Sequence, residues 1–310
     1  PVLAERAAWL AKADLLTGMG GEFPELQGSM GRYYALHDGE PADVADAIEA
    51  HYRPRFAGDR LPEGAISSCV ALADKLDTLV GIFGIGAAPT GDKDPFALRR
   101  QALGVLRILI EAKLPLAMDT LLADAVSVFT LIALPAWTAT EVYNFMLERL
   151  RNLLREQGYP PDEIEAVVSQ SPRRIDLVPA RLEALKAFRK LPEAKALAAA
   201  NKRVLNIIRK NEELGYGFFT PERKLMSASA EIALMDAVAR ISPLATECFD
   251  AGDYAGNLRV LAQIKPEVDR FFDEVMVMVD DTEVRNNRAA LLQQLGVLMN
   301  RVADISKLAA

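Results

Sequence analysis

The chain has 310 residues, of which 51% are hydrophobic and 25% charged, and its formal net charge is −7 at pH 7. This balance is typical of a globular protein and excludes an extensively disordered chain. The negative charge argues against a protein that coats nucleic acid non-specifically, but it is compatible with a local basic stripe. The length predicts two domains.

Neither the cysteines nor the apolar segments indicate a secreted or membrane protein. Cys69 and Cys248 lie far apart and outside any motif, which predicts reduced thiols rather than a disulfide framework or a zinc site. The longest apolar run, Val126 to Trp137, is broken by Thr130 and Pro135 and is too short to span a bilayer. The first residues lack the pattern of a signal peptide. We therefore expect a cytoplasmic protein without membrane contact.

Helical signals run along the chain, whereas strand signals are nearly absent, because alternation of apolar and polar residues is nowhere sustained. Apolar residues at helical spacing extend the last two predicted helices to Val279 and Ile305. The predicted helix starts are, in chain order, Asp94 as N-cap before Pro95, Thr138 in a capping box with Glu141, Pro266 in a first turn, and Asp280 with Asp281 as caps. The sequence predicts an all-α fold.

Loops rich in glycine and proline divide the chain, and a softer break falls at Leu191 to Glu193. We place the domain boundary near residue 192, which gives domains of residues 1–192 and 193–310. The second domain has the pattern of a compact helical bundle that is interrupted at Gly215 to Pro221 and at Gly252 to Gly256.

Candidate metal ligands are few. His37 and Asp38 spell the dipeptide that names the HD phosphohydrolases, but they precede a loop, and His51 is the one other histidine. A hydrolytic metal site needs several converging ligands, so we interpret Asp38 as a turn residue and His37 as a polar loop side chain, and we predict no metal. Asp74 and Asp77 share a helix face and are either a relic of a distal HD ligand or a solvated acidic face. No nucleophile stands in a recognisable motif, so we predict no catalytic residue.

Three basic stripes stand out in this acidic chain. Any one of them is explained by a solvated helix face, but three together favour a polyanionic partner. Cations in the first turns of a helix also oppose its dipole, so local helix stability does not explain the third stripe. The stripes are Arg99, Arg100 and Arg107 around Gly104; Lys202, Asn206, Arg209 and Lys210; and Arg285 with Arg288.

Long motifs in the chain resemble those of the β subunit of the bacterial two-subunit (α2β2) glycyl-tRNA synthetase. They include Gly21 to Ala35, Pro89 to Arg100, Ala199 to Val204 and Phe271 to Met278. The resemblance runs the length of the chain and implies the C-terminal part of that subunit: a degenerate HD-like helical domain followed by a DALR-type anticodon-binding helical bundle. At the register of the HD dipeptide, Leu10 to Asp14 offers no adjacent His and Asp.

The resemblance also implies a division of labour. The α subunit uses ATP and Mg to activate glycine, while the β subunit recognises tRNA-Gly, contacts no DNA and binds no cofactor in this part. The residues expected to contact tRNA are Lys202, Arg203, Arg209, Lys210, Arg285 and Arg288 at the anticodon arm, and Arg99, Arg100 and Arg107 nearer the acceptor end. The alternatives are an HD-type metal-dependent phosphohydrolase and a non-catalytic helical scaffold.

Overall fold

The computed structural model describes residues 1–213 and 220–308. Within these ranges it contains fifteen α-helices and no β-strand, and its only strand-like pairs are the isolated bridges Thr90–Lys93 and Ala117–Arg174. The prediction of an all-α fold is confirmed. No helix in the described part of the chain has the length and apolar character needed to cross a membrane. The predicted break at Gly215 to Pro221 lies mostly outside the described residues.

Short loops and 3-10 turns join the helices. The helices are α1 (Val2–Leu10), α2 (Gly18–Glu22), α3 (Ser29–His37), α4 (Ala42–Ala50), α5 (Gly64–Gly84), α6 (Leu98–Glu111), α7 (Met118–Ser127), α8 (Thr138–Glu156), α9 (Pro161–Val168), α10 (Val178–Phe188), α11 (Ala194–Glu213), α12 (Ser229–Asp250), α13 (Tyr254–Ala262), α14 (Lys265–Glu274) and α15 (Thr282–Met299). The turn predicted at Gly252 to Gly256 separates α12 from α13.

The chain forms two compact units, of which the first comprises Pro1–Leu153 and Arg173–Leu177. Its centre is α5, which contacts α1, α4, α6 and α7. Because neighbours surround α5, buried residues such as Leu72, Leu76 and Leu79 occur around most of its circumference rather than along one stripe. The helix therefore forms the core against which the other helices of this unit pack.

The second unit comprises Leu154–Pro172 and Val178–Ala310, and α11 packs against α15 within it. Gly296 permits this approach, since a Cβ atom there would lie 3.2 Å from Ile208 Cδ1 and 3.4 Å from Val204 Cγ1. Asn201 and Asn300 exchange side-chain hydrogen bonds of 2.8 and 3.2 Å, which tie α11 to the end of α15. These contacts bury one face of α11 and leave the opposite face exposed. The domain boundary near residue 192 stays a prediction.

Of two predicted helix starts, that of α6 is displaced, whereas α8 does begin at Thr138 but without the predicted cap. The Asp94 carboxylate accepts the N–H groups of Leu98 and Arg99 at 2.8 and 3.0 Å, so it does cap α6, but that helix begins at Leu98 rather than at Pro95. The predicted capping box at Thr138 was wrong, because the Trp137 carbonyl already accepts the Glu141 N–H at 3.0 Å. The Thr138 hydroxyl is buried without a hydrogen-bond partner in the described structure.

The ends of the last two helices also come earlier than the apolar pattern predicts. Helix α14 ends at Glu274 because Val275 is extended, with φ −115°. Helix α15 ends at Met299, and the buried Val302 and Ile305 follow in a turn and a 3-10 segment. The predicted start at Asp281 is confirmed, since its carboxylate accepts the N–H groups of Glu283 and Val284.

A lysine lies inside the first unit. The side chain of Lys75 on α5 is 2% exposed, and its ammonium donates to the His51 carbonyl at 3.1 Å. Its stem passes Gly104 so closely that a Cβ atom there would lie 2.8 Å from Lys75 Cε. Burial lowers the pKa of Lys75 from 10.5 to about 8. The buried His51 ring is affected in the same way, and burial lowers its pKa.

Replacing Lys75 with Met is expected to change how stability depends on pH. Between about pH 8 and 10.5 the unfolded chain binds a proton that folded Lys75 has released, so stability rises with pH through this window. The stability of K75M relative to the parent should therefore fall by about 2–3 kcal/mol from pH 7.5 to 10.5. Denaturant unfolding at several pH values measures this difference. The control is Lys113→Met at an exposed position, whose stability relative to the parent should not change with pH. If the stability of K75M relative to the parent were also independent of pH, the account would be contradicted.

Candidate nucleic-acid interface

The exposed face of α11 carries a cationic cleft of about 420 Å³ in the second unit. Lys202, Asn206 and Lys210 follow one another at four-residue spacing, so they lie along one side of the helix. The buried residues Leu197, Asn201 and Val204 lie on the other side. The cleft is lined by Ala199, Lys202, Arg203, Asn206, Ile207, Lys210 and Met278. The structure therefore brings three of the predicted cations of α11 together.

Arg203 is held in place by an aromatic ring. Its guanidinium carbon lies 4.3 Å from the centroid of the Phe272 ring, which belongs to α14 and is half-buried. This cation–π contact restricts the long arginine side chain without neutralising its charge. The contact therefore positions a guanidinium plane at the cleft before any ligand arrives.

The charges of the cleft are not balanced locally. Among residues 1–213 and 220–308, Lys202, Arg203 and Lys210 have no carboxylate within 4.0 Å, and no acidic residue lines the cleft. Arg209 differs, because it lies 4.0 Å from the Glu213 carboxylate, donates to Asn206 and does not line the cleft. The positive potential of this face therefore comes from Lys202, Arg203 and Lys210.

Arg288 belongs to the interior rather than to this face. Its guanidinium donates to the Glu231 carboxylate at 2.8 Å and to the Met276 carbonyl at 2.8 Å, and its side chain is 10% exposed. Burial alone would raise the pKa of Glu231, but hydrogen bonds from Arg288 and from the Ala228 N–H outweigh it and lower the pKa. Local helix stability does not account for Arg288, as expected from the helix dipole; an ion partner 57 residues away along the chain holds it.

Arg285 is half-buried and lies beside the loop that precedes α15. Its two terminal nitrogens are 3.4 Å from the Val279 carbonyl and 3.4 Å from the Thr282 hydroxyl. It is not a lining residue of the α11 cleft. The predicted stripe on the last helix is therefore divided between an internal arginine and one that contacts its own helix start.

The α6 stripe is divided as well. Arg99 and Arg100 line a second cleft, which lies in the first unit, whereas Arg107 is largely buried and pairs with Glu111 at 2.6 Å. Gly104 does not leave the backbone open to a ligand, because the Lys75 side chain fills that space. Arg107 therefore lacks the exposure that its predicted role requires.

The candidate metal ligands do not converge. Asp38 lies in the turn after α3, as expected, whereas His37 is the last residue of that helix and not a loop residue. Both are exposed, while His51 is buried. Asp74 pairs with Lys12 rather than with Lys75, and burial together with the charge of Asp74 raises the pKa of Asp77. In the ranges that the structure describes, no three His, Cys, Asp or Glu side chains are grouped to hold a metal ion.

Comparison with known families assigns the two parts of the chain. The family model for the glycyl-tRNA synthetase beta subunit matches residues 2–169, which is more than half of the chain, and the model for the DALR anticodon binding domain matches residues 197–307. The chain belongs to the glycyl-tRNA synthetase β-subunit family. The α11 cleft and its partners Phe272 and Met278 all lie within the DALR match.

Individual relatives agree with this assignment. The chain is 59% identical over 307 residues to a glycine–tRNA ligase beta subunit of Thiobacillus denitrificans and 57% identical over 308 residues to one of Aromatoleum aromaticum. A third, from Ralstonia nicotianae, is 57% identical over 307 residues. Each comparison covers 99% of this chain but 43% or 44% of the relative. The chain thus spans less than half the length of these curated relatives.

Sequence reasoning on this β-subunit chain missed the aromatic and thioether side chains around the cations. Met278 lines the α11 cleft, Phe272 contacts its Arg203, and Phe56 lines the second cleft, yet the sequence predicted none of the three beside a cation. The signal that could have found Phe56 is the pair Arg55-Phe56 in a glycine-containing loop. Phe272 carries no such local signal, because its arginine is 69 residues away along the chain.

The structure predicts that Arg288 and Lys202 respond differently to truncation. Arg288→Ala leaves the buried Glu231 carboxylate without its ion partner and should cost about 3–5 kcal/mol of unfolding free energy. Lys202→Ala removes an exposed side chain and should change stability by no more than about 0.5 kcal/mol. Urea unfolding followed by circular dichroism measures both, and a double variant with Glu231→Ala should cost less than the sum of its parts. Equal, small effects of Arg288→Ala and Lys202→Ala would refute the internal role of Arg288.

Proposed function

We propose that this chain is the tRNA-recognition portion of a glycine–tRNA ligase β subunit, and that its α11 cleft holds the anticodon arm of tRNA-Gly. The observation that carries this proposal is the position of the cleft: its three unbalanced cations lie within the segment that matches the DALR anticodon binding family. A DNA substrate is not part of the proposal.

The chemistry of the cleft suits an RNA loop. Lys202 and Lys210 are exposed cations that can approach backbone phosphates, which dominate the affinity of nucleic-acid binding. Arg203, stacked on Phe272, offers a flat guanidinium beside the exposed Met278 side chain. Unpaired bases of single-stranded loops bind to such planar and apolar surfaces. The cleft thus combines phosphate contacts with a place for a splayed base.

The proposal includes a division of labour with a second subunit. The relatives are named as beta subunits of a glycine–tRNA ligase, which supports assembly with an α subunit that binds ATP and Mg and forms the glycyl ester. The chain would then be the C-terminal part of the β subunit of a cytoplasmic enzyme, with an HD-like first domain that binds no cofactor. Arg209 and Arg285 do not line the cleft and stay predicted contacts outside it. Arg288 and Arg107 are no longer part of the proposed surface, because only 10% and 15% of their side chains are exposed.

Charge reversal on α11 tests this proposal. The double variant Lys202→Glu/Lys210→Glu should bind tRNA-Gly more weakly and should reduce the slope of log affinity against log salt by about 1.4–1.8, as expected for two lost phosphate contacts. Filter binding over a series of salt concentrations measures both. The matched control is Lys186→Glu/Lys190→Glu, which changes the net charge equally at exposed positions of the second unit before the DALR match.

The same experiment separates the alternatives. A non-catalytic scaffold would show no preference for tRNA-Gly over other tRNAs, and the two double variants would behave alike. A metal-dependent phosphohydrolase would hydrolyse nucleotides with an added divalent ion, and this activity would be insensitive to the α11 substitutions. Either result would overturn the proposed function.

A further inference from the structure

The first unit contains a second cationic cleft, of about 670 Å³, between the loop after Pro54 and the start of α6. Its volume is within the range that small-molecule sites occupy in proteins. It is lined by Arg55, Phe56, Ala57, Asp94, Ala97, Arg99, Arg100 and Leu103. Three arginines against one aspartate give it a net positive charge, which favours an anionic ligand.

Arg55 is positioned in advance. Its Nη2 donates to the Gln27 carbonyl at 2.8 Å, and its guanidinium carbon lies 5.4 Å from the centroid of the Tyr52 ring. Its backbone N–H donates to the Asp59 carboxylate at 2.6 Å, which holds the loop in place. None of these contacts is an ion pair of the guanidinium, so the charge of Arg55 remains available while its conformation is restricted.

The acidic residue of the cleft is already engaged. The Asp94 carboxylate accepts the N–H groups of Leu98 and Arg99, so the first turn of α6 is satisfied by the protein itself. Arg99 donates to the Gly91 carbonyl. Arg100 is exposed and has no carboxylate within 4.0 Å in the described ranges. An anion would therefore be held by Arg55 and Arg100 rather than by the helix N-terminus.

An aromatic ring completes the cleft. Phe56 is 63% exposed and lies next to Arg55 in the chain. A phenyl ring exposed to this extent gains little from the protein's own core, but it offers a stacking face to a base. An exposed aromatic ring beside arginines in a cationic groove is an arrangement by which proteins bind unpaired nucleotides.

We propose that this cleft binds one nucleotide of a single-stranded RNA segment, with the base stacked on Phe56 and the adjoining phosphate between Arg55 and Arg100. The identity of the RNA rests on the proposed function: it is an unpaired segment of the bound tRNA outside the anticodon arm. The site is distinct from the α11 cleft, since the lining residues of the two belong to different units.

The test uses a fluorescent single-stranded oligonucleotide of about six residues, with binding followed by anisotropy. It is done in the Lys202→Glu/Lys210→Glu background, so that the α11 cleft is disabled and binding at the second cleft dominates. Arg100→Glu should weaken binding at least about tenfold and reduce the salt slope by about 0.7, because one phosphate contact is lost. Phe56→Ala should also weaken binding about tenfold but leave the salt slope unchanged, because stacking involves no counterion release.

The matched control is Lys113→Glu, an exposed residue just beyond the opposite end of α6, about 20 Å along the helix from Arg100. It should alter neither affinity nor slope, and the thermal midpoints of all three variants should equal the parent's. The proposal is overturned if Arg100→Glu and Phe56→Ala behave like Lys113→Glu. It is also overturned if free ATP or inorganic phosphate displaces the oligonucleotide at concentrations equal to the oligonucleotide's own Kd, since the ligand would then be a free nucleotide or a simple anion.

Failure of this site and failure of the proposed function can be told apart. If the oligonucleotide responds to Arg100 and Phe56 but tRNA-Gly is bound no better than other tRNAs, the proposed function falls and the RNA site stands. If tRNA-Gly binding depends on Lys202 and Lys210 while oligonucleotide binding is unchanged by substitution of Arg100 and Phe56, the proposed RNA site at the second cleft is overturned and the proposed function stands.

Discussion

The buried ion pair between Glu231 and Arg288 determines the shape of the second unit around its cationic cleft. Both partners are desolvated, so each must be satisfied inside the protein, and Arg288 does this by also donating to the Met276 carbonyl. That bond fixes the segment between α14 and α15 whose Met278 side chain lines the cleft on α11. A largely buried salt bridge thus positions one wall of the proposed RNA site.

The cations of the chain fall into two groups: those that are bound by protein partners and those that are not. Arg288 and Lys75 are bound inside the protein by Glu231 and by the His51 carbonyl, and Arg107 is paired with Glu111 on its own helix. Lys202, Arg203 and Lys210 are left without ion partners in the described structure. Because a net charge of −7 repels a polyanion at long range, the proposed RNA contacts are restricted to such local groups of unbalanced cations.

Local sequence patterns correctly predicted the features that depend on residues close together in the chain. The all-α fold and the start of α15 at Asp281 followed from helical spacing and capping chemistry. The role of Arg288 did not, since its partner lies 57 residues away, and neither did the burial of Lys75 against Gly104. The start of α6 shifted because a capping carboxylate can reach past an intervening turn. The family followed from long motifs spread along the chain, whereas the residues that line each cleft could be found only from the fold.

Amine-reactive footprinting of the chain with and without tRNA-Gly tests the central claim most directly. Lysine acetylation, read by mass spectrometry, should be suppressed by tRNA-Gly at Lys202 and Lys210 but unchanged at the exposed Lys186 and Lys190, while the buried Lys75 should stay unreactive throughout. Protection at Lys186 and Lys190 with none at Lys202 and Lys210 would show that the RNA binds elsewhere and would contradict the account.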